Sequence, residues 1–418
     1  MMRLILFFLL LWQPICYSQC DGRYLEEVFS DVDVSTVTYS EVNNLQLDIY
    51  QPVGDTENNR PLIILAHGGS FIAGVRANPS MVSLGEAFAK RGYVVASISY
   101  RLMTVLDLIF SSTTLNGVAE ALSDGKAAVR YFRKSIVEGN AYNIDPNQIY
   151  FGGNSAGAII AIHAAFMQDG EVEDPELIVA MENNGGFEGN SGNPGFSSDV
   201  RGAISLAGGI ANLDFINSSD FNSLLITCHG DLDNTVVYDC GEPLSGTVPI
   251  ELCGGGAILE HSSLIGFENH HHLLFEGSDH TPWGWDGAAE NQMISFVSEK
   301  LFNNLDCANS TGEPLDVLGC MDSEACNYNP SATQNDGSCT YADLYYDCGG
   351  NCINDIDMDG ECDEVDYDDG LGTNELDSET PQVIKMIDVL GRVHTSHKSG
   401  MLLFYIYNNG KVQGVVKE

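Results

Sequence analysis

The first 300 residues alternate between patterns that predict strands and patterns that predict helices. Apolar and polar residues alternate in residues 36–42 and 45–49, as in half-buried antiparallel strands. Residues 61–66 are continuously apolar, which predicts a central strand buried on both faces. Further strands are predicted at residues 93–100, 149–151, 200–207, 223–228 and 273–276, and helices at residues 82–91, 117–138, 158–165 and 293–302. This alternation predicts a mainly parallel sheet with helices on both of its faces.

Two segments of this region lack a clear period. Residues 102–110 are apolar and fit two descriptions equally, the lid or acyl-pocket wall of a site, or a loop packed on the core. Residues 169–198 are rich in Glu, Asn and Gly, and we interpret them as a surface insertion beside the site.

The pattern changes after residue 305, where aliphatic residues become rare. Residues 306–366 are rich in Cys, Asp, Asn and Gly and need disulfides or metal ions for stability. Residues 367–381 form an acidic linker. Residues 382–418 alternate again, and residues 402–407 and 411–416 flank an Asn-Asn-Gly turn that predicts a hairpin.

The N-terminus predicts a signal peptide over residues 1–19. Arg3 precedes a short apolar run, and Ser18-Gln19 provides a cleavage site before Cys20. A lipid anchor on Cys16 or Cys20 is the rival interpretation, but the usual lipoprotein pattern precedes neither. The apolar run is too short to span a bilayer, so we expect a mature chain without a transmembrane segment. The chain has 12 cysteines, and they favour an oxidising, extracellular or cell-surface location.

The formal net charge of −41 excludes one class of partner. Binding to phosphate backbones needs a basic surface, so nucleic acid is not expected, and anionic membrane surfaces are disfavoured for the same reason.

The most informative motif is Gly153-Asn154-Ser155-Ala156-Gly157, between a predicted strand and a predicted helix. A serine at the apex of so tight a turn is the nucleophile elbow, with Ser155 Oγ exposed and the Ala156 amide aimed at an incoming carbonyl. The turn leaves no room for a Cβ at either glycine.

A nucleophilic serine needs a base and an orienting acid. Asp233 follows one predicted strand in a His-Gly-x-x-Asp turn, and His280 follows the next. Both lie past carboxyl ends of strands, where sites of open α/β sheets gather. Asp231 competes with Asp233, but its spacing from His229-Gly230 is too short for the usual turn.

Other polar residues in these segments are assigned to packing. We expect His229 to pack beneath the acid loop and Asp279 to be an ordinary loop residue. Residues 270–272 are three consecutive histidines that point to alternate faces, so we favour a polar strand entry over a zinc site. Cys228 is expected to be a packed thiol, and Cys240 and Cys253 lie in one loop and could pair.

On the basis of these motifs, residues 20–305 resemble an α/β-hydrolase of the carboxylesterase and lipase kind. His67-Gly68-Gly69-Ser70-Phe71 is similar to the oxyanion loop of that family, and Tyr100-Arg101-Leu102 to a motif after its next strand. The resemblance implies an α/β-hydrolase fold, a triad of Ser155, His280 and Asp233, and no cofactor for catalysis. It also implies an oxyanion hole formed by the N–H groups of Gly68, Gly69 and Ala156. The departure is Ser70, where many relatives carry a third glycine.

Residues 355–366 place aspartates at positions 1, 3, 5, 9 and 12 of a loop, with a glycine, Gly360, at position 6. This pattern resembles an EF-hand loop and, more closely, the calcium repeats of thrombospondin type 3, which implies a structural Ca²⁺. An acidic solvated linker is the alternative. The implied ligands are Asp355, Asp357, Asp359, Asp363 and Asp366.

The remaining tail segments also carry resemblances. Gly319-Cys320 to Pro330 looks like a cysteine-rich module of bacterial surface proteins. Residues 387–392 and 403–411 resemble the type IX secretion sorting domain of Bacteroidetes, which implies the secretion machinery as a partner and removal of this domain on delivery.

Together these observations predict a secreted serine hydrolase that cleaves carboxylic esters, small or polymeric, through an acyl-enzyme. The alternatives are a serine peptidase or polyester depolymerase on the same fold, and a catalytically inert surface adhesion or binding protein. Turnover of esters that is lost in Ser155→Ala separates the enzyme from the binding protein.

Overall fold

The structure is a computed structural model that divides into two compact units, Met1–Tyr341 and Ala342–Glu418. We describe each unit by itself. The described residues are 22–220, 222–305, 318–326, 334–335, 339–342, 344–348, 353–354, 383–388, 393–394, 402–407 and 412–416.

The first unit is built on an eight-stranded sheet in the order β1-β2-β4-β3-β5-β6-β7-β10. In this sheet only the pairings β1 with β2 and β2 with β4 are antiparallel. The strands β4, β3, β5, β6, β7 and β10 run parallel to one another. The strands are β1 (Val32–Ser40), β2 (Leu45–Pro52), β3 (Arg60–Ala66), β4 (Val94–Ile98), β5 (Ile144–Asn154), β6 (Gly202–Leu206), β7 (Leu224–Gly230), the short pair β8 (Cys240–Gly241) and β9 (Leu252–Cys253), and β10 (His270–Phe275).

Helices connect the parallel strands. They are α1 (Pro79–Lys90), α2 (Ser111–Val137), α3 (Ala156–Phe166), α4 (Pro175–Asn183), the single turn α5 (Pro243–Gly246), α6 (Gly255–Ile265) and α7 (Gly287–Asn304). Short 3₁₀ turns lie at Val105–Ile109, Leu213–Phe215, Ser218–Asp220 and Pro282–Gly284. This arrangement confirms the predicted mostly parallel sheet with flanking helices and is consistent with the α/β-hydrolase fold.

The core lies on both faces of the sheet, as the continuous apolar run in β3 predicted. Leu62 and Ile64 belong to the apolar layer that α2 and α3 cover, whereas Ile63 and Leu65 belong to the layer that α1 and α7 cover. All four side chains are almost completely buried. The sequence of a strand with both faces packed in this way is continuously apolar and does not alternate between apolar and polar residues.

The segment at residues 169–198 is more ordered than its composition predicted. It contains α4, whose first turn is capped by Asp174: the carboxylate accepts hydrogen bonds from the N–H groups of Glu176 and Leu177 at 2.8 and 3.2 Å. Asp followed by Pro at the first helical position is a start signal that the sequence does contain.

The three histidines lie inside β10 instead of forming a polar entry to a strand at residue 273. His270 Nε2 and His272 Nδ1 both lie 2.8 Å from Thr227 Oγ1 on the neighbouring β7. Ser262 and Tyr238 bind the other ring nitrogens at 2.9 and 3.1 Å. Alternation along the strand separates His271 from this pair, as expected, and the pair belongs to a hydrogen-bonded network in which His270 is buried and His272 is partly buried.

Cysteine placement agrees with the expectations that fall on described residues. Cys240 and Cys253 form a disulfide that joins β8 to β9, and Cys228 is a buried free thiol. Burial raises the pKa of the Cys228 thiol, which keeps it protonated and unreactive. In the cysteine-rich segment Cys320 pairs with Cys339.

In the second unit the described residues form a four-stranded antiparallel sheet in the order β14-β13-β15-β16. Its strands are β13 (Val383–Asp388), β14 (Val393–His394), β15 (Leu402–Tyr407) and β16 (Val412–Val416); two short strands of the first unit, β11 (Leu318–Gly319) and β12 (Gln334–Asn335), precede them. Ile406 pairs with Val412, which confirms the predicted hairpin. The five candidate calcium ligands, Asp355 to Asp366, lie outside the described residues. Of the helices in the described part, none is long and apolar enough to cross a bilayer.

We expect the β10 histidines to make the protein sensitive to mild acid. Burial lowers the pKa of His270 to about 3 and that of His272 to about 4. The unfolded chain therefore takes up protons first as the pH falls below about 6.5, so stability is complete above that pH and decreases below it. Each pKa unit is worth about 1.4 kcal/mol, so each histidine costs about 2 kcal/mol of unfolding free energy by pH 5.

Urea unfolding at pH 7.5 and pH 5 measures this loss. His272→Gln should show a smaller difference between the two pH values than the native sequence. Equal unfolding free energies of the native sequence at both pH values would contradict the expectation.

Candidate active site

Ser155 lies at the sharp turn between β5 and α3. Its backbone has φ 55° and ψ −119°, a strained conformation, and its N–H donates to Leu206 O at 2.8 Å. An added Cβ at Gly153 would lie 2.2 Å from the Gly157 carbonyl carbon, and one at Gly157 would lie 2.0 Å from Ala66 O. Both glycines are therefore required by close backbone packing, as the elbow motif predicted.

The structure brings the three predicted catalytic residues into one chain of hydrogen bonds. Ser155 Oγ lies 2.9 Å from His280 Nε2, and His280 Nδ1 lies 2.7 Å from Asp233 Oδ2. Ser155 follows β5, Asp233 follows β7 and His280 follows β10, so the carboxyl ends of three parallel strands supply them. This is the edge at which sites of open α/β sheets form.

Asp233 is buried but well supplied with donors. The N–H groups of Thr235 and Val236 donate to its Oδ1 at 2.8 and 3.0 Å. Burial by itself raises the pKa of this carboxyl, but hydrogen bonds from His229 and His280 outweigh it and hold the pKa below its ordinary value. The Asp233 carboxylate therefore stays ionised, which is the form that orients a histidine.

His229 packs beneath the acid loop, as expected, and also contacts the acid. The N–H of Gly255 donates to His229 Nδ1 at 3.1 Å, so the ring proton resides on Nε2. That Nε2–H points at Val236 O at 2.9 Å and lies 3.2 Å from Asp233 Oδ2. Asp233 is thus held between two imidazoles, a role that the spacing of the His-Gly-x-x-Asp turn did not reveal.

The two competing carboxylates have other roles. Asp231 accepts a hydrogen bond from the N–H of Gly277 at 2.6 Å and so ties the acid loop to the turn after β10. Asp279 is exposed, and its Oδ1 accepts from the N–H of His280 at 2.8 Å. Both carboxylates bind backbone N–H groups, whereas Asp233 binds the His280 ring.

The loop after β3 lies directly against the nucleophile. A Cβ at Gly68 would come within 3.2 Å of Ser155 Cβ and 3.0 Å of Asn154 O. Tyr100 holds the loop, because its hydroxyl donates to His67 O at 2.8 Å and its ring stacks on His67 at 4.3 Å. The backbone of Gly68 therefore borders Ser155, together with Ala156, the first residue of α3, whose N–H has no acceptor within its helix.

Ser70 is accommodated at the position where a third glycine was expected. Its φ is 54° and that of Phe71 is 60°, both in the left-handed region that glycine adopts without strain. The loop keeps the conformation that a glycine favours, and Ser70 supplies it at a cost in strain.

An apolar pocket with about 850 Å³ of empty space, including space open to solvent, adjoins Ser155. Six chain segments line it: the oxyanion loop, residues 108–122, Ser155 with α3 and Met167, α4, Ala211, and residues 235–252, which the Cys240–Cys253 disulfide closes into a loop.

Two segments that the sequence left undecided meet at this pocket. Leu108 lines it, so residues 102–110 do form part of the pocket wall, while the neighbouring Val105, Leu106, Ile109 and Phe110 are exposed. Leu177 of α4 lines it as well. The sequence did not identify residues 236–252 as part of the site, and their six apolar lining side chains were the available signal. Among the described residues, no three His, Cys, Asp or Glu side chains lie close enough together to hold a metal ion.

Comparisons with known proteins place this chain beside ester hydrolases. Residues 47–208 match the family model described as BD-FAE. The probable isoprenylcysteine alpha-carbonyl methylesterase ICME of Oryza sativa subsp. japonica is 34% identical over 140 residues, which cover 34% of this chain and 30% of that protein. Lipase 1 of Yarrowia lipolytica (strain CLIB 122 / E 150) is 31% identical over 146 residues, which cover 34% and 29% respectively. The chain spans about three tenths of the length of these relatives.

Among solved structures, the butyrate-bound Est2 esterase of Thermogutta terrifontis aligns with a TM-score of 0.46 and 21% identity, covering 65% of this chain and 94% of that one. The BD-FAE match contains Gly68, Gly69 and Ser155 but ends before Asp233 and His280. The acid and the base of the site therefore rest on the geometry given above.

We expect His229→Leu to destabilise the protein by about 2–4 kcal/mol, because the Gly255 N–H and the Val236 carbonyl lose a buried partner and each unsatisfied group costs roughly 1–3 kcal/mol. Urea unfolding at pH 7.5 measures the effect. His271→Leu, a half-buried histidine on the other face of the sheet, is the matched control and should cost less. Equal losses in the two variants would contradict the role assigned to His229.

Proposed function

We propose that this protein is a serine hydrolase that cleaves carboxylic esters through an acyl-enzyme. The observation that carries the proposal is the hydrogen-bonded chain from Ser155 through His280 to the ionised Asp233. These three residues supply the nucleophile, the base and the orienting acid that a serine hydrolase needs.

In the first half-reaction, Ser155 Oγ attacks the ester carbonyl carbon and transfers its proton to His280 Nε2. The carbonyl oxygen becomes an oxyanion, which the N–H groups of Gly68, Gly69 and Ala156 stabilise. Asp233 accepts a hydrogen bond from His280 Nδ1 and stabilises the imidazolium. The imidazolium then donates its proton to the leaving alkoxide, and the ester C–O bond breaks to leave an acyl-Ser155.

In the second half-reaction, His280 accepts a proton from water as that water attacks the acyl carbon. The resulting intermediate expels Ser155 Oγ, which regains its proton from His280, and the carboxylic acid leaves. Removing one oxyanion donor costs about 10²–10³ in kcat in enzymes of this kind.

The ester substrate is supported by the relatives, whose names include a methylesterase and a lipase. The same three residues could serve a peptidase or a polyester depolymerase, so these are competing outcomes of the test. An inert binding protein would have no use for a buried acid held by two histidines at hydrogen-bonding distance.

We propose further that the enzyme acts outside the cell. The predicted signal peptide and the resemblance of residues 382–418 to a type IX sorting domain carry this step. The disulfides Cys240–Cys253 and Cys320–Cys339 support an oxidising compartment. The calcium assignment to Asp355, Asp357, Asp359, Asp363 and Asp366 remains a prediction from the ligand pattern.

Ser155→Ala is expected to lower kcat on p-nitrophenyl butyrate by about 10⁴–10⁶, since loss of the nucleophile of such a triad has an effect of this size. Ser263→Ala, a substitution of an exposed serine on α6, should leave kcat unchanged. A phosphonate inhibitor should add one covalent label to the native chain, found on Ser155 by peptide mass spectrometry. Turnover that survives in Ser155→Ala would overturn the mechanism, and no turnover of any ester would favour a peptidase or a binding protein.

Expressed in a bacterium with a type IX secretion system, the full chain should appear in the culture medium or on the cell surface. Its mature form should begin near Cys20 and lack residues 382–418, which intact-mass measurement would detect. A form retained inside the cell with both ends present would contradict the proposed route.

A further inference from the structure

We propose that Asn154 and Trp283 are positioning residues for the ester hydrolysis, and that the hydrogen bond between them holds the base, His280, in place while the acyl-enzyme is hydrolysed. This inference rests on the proposed function and adds two residues to the same site. It is carried by the path of the loop that bears the base, by the strain in that loop, and by one contact with the nucleophile elbow.

The base lies on a loop that runs between two buried side chains. Phe275, the last residue of β10, and Trp283 are 7% and 4% exposed, whereas none of residues 276–281 is buried. The first part of the loop is bound to the acid loop through Gly277, whose N–H donates to Asp231 Oδ1 at 2.6 Å. That contact lies before the base, so the chain after the base needs an anchor of its own.

The residue that follows the base is strained. Thr281 has φ 49° and ψ 58°, in the left-handed region that β-branched residues rarely adopt. Such a conformation persists only where neighbouring contacts hold it. Pro282 and Trp283 follow directly and are both buried, and the Trp283 ring packs on Phe275 with 5.3 Å between ring centroids. The buried tryptophan is therefore the anchor that keeps the base loop on its strained path.

Trp283 also binds the nucleophile elbow. Its Nε1–H donates to Asn154 Oδ1 at 3.2 Å. Asn154 is the last residue of β5 and directly precedes Ser155. The elbow and the base loop are therefore joined twice, by this bond and by the bond of Ser155 Oγ to His280 Nε2 at 2.9 Å.

The two bonds differ in how long they last during the reaction. In the free enzyme Ser155 Oγ–H donates to His280 Nε2, but in the acyl-enzyme this oxygen carries the acyl group in place of its proton and has nothing to donate. The bond between Trp283 and Asn154 takes no part in proton transfer and stays in place. During deacylation His280 is then positioned by Asp233 and by its own loop. The base must lie within hydrogen-bond reach of the attacking water, so this step depends most on the anchor.

The test is the steady-state kinetics of p-nitrophenyl acetate hydrolysis. This ester is activated, so acylation is fast, kcat reports deacylation and kcat/KM reports acylation. Trp283→Phe removes the indole N–H and keeps an aromatic ring. We expect it to lower kcat about tenfold and kcat/KM less than threefold, since one hydrogen bond is worth up to about tenfold. The acetylated chain should accumulate in this variant and be detected by intact-mass measurement after acid quenching.

A change on the other side of the bond should have the same effect. Asn154→Leu removes the acceptor and keeps the test available if the tryptophan variant does not fold. The double variant should be no slower than Asn154→Leu alone, because both changes remove one bond. Asn154→Asp keeps an acceptor oxygen and should recover most of the lost kcat. Trp285→Phe, in the same segment but 69% exposed, is the matched control and should leave kcat and KM unchanged.

The outcomes separate this inference from the proposed function. Equal losses in kcat and kcat/KM, or an unchanged kcat, in a variant that is folded by circular dichroism would overturn the positioning role while leaving ester hydrolysis in place. Losses that multiply in the double variant would also overturn it, because the two side chains would then act independently. A native enzyme that forms no acyl adduct and turns over no ester would overturn the proposed function, and this inference with it.

Discussion

The close backbone contact between β3 and α3 is the constraint on which the site depends. Gly157 lies so near Ala66 O that no side chain fits between them, and Gly153 lies as near to Gly157. Because of this contact α3 begins immediately at the sheet edge, with Ser155 at its N-terminus. The same contact brings the loop after β3 against Ser155, so one packing distance positions both the nucleophile and the candidate oxyanion donors.

The second constraint is the burial of the acid Asp233, whose unfavourable desolvation is offset by hydrogen bonds. A buried carboxylate is unfavourable without donors, and Asp233 has two backbone N–H groups and two imidazoles around it. His229 links this cluster to the N-terminus of α6 through Gly255. The acid loop continues into residues 235–252, which line the pocket, so the support of the acid and the shape of this pocket are coupled.

The order of segments explains why family similarity covers only part of the site. The BD-FAE match ends at residue 208, after the nucleophile and the oxyanion loop. Asp233, His280 and the pocket wall at residues 235–252 follow it. The apolar pocket beside Ser155 therefore draws on both regions: α3 belongs to the matched part, whereas the disulfide-closed loop belongs to the part outside it.

The sequence by itself determined the alternation of strands and helices, the elbow at Ser155, and the hairpin of β15 and β16, since these depend on local periodicity and on glycines with a local steric reason. It also identified Asp233 and His280, because each follows a strand that its apolar residues predict. Tertiary structure decided the rest. The paired histidines on Thr227 arise from contacts between residues more than 40 positions apart. His229 is only four residues from Asp233, but its orientation depends on Gly255, which lies 26 residues along the chain. The pocket is of the same kind: its walls come from six separate segments, and no local pattern encodes which apolar side chains will line it together.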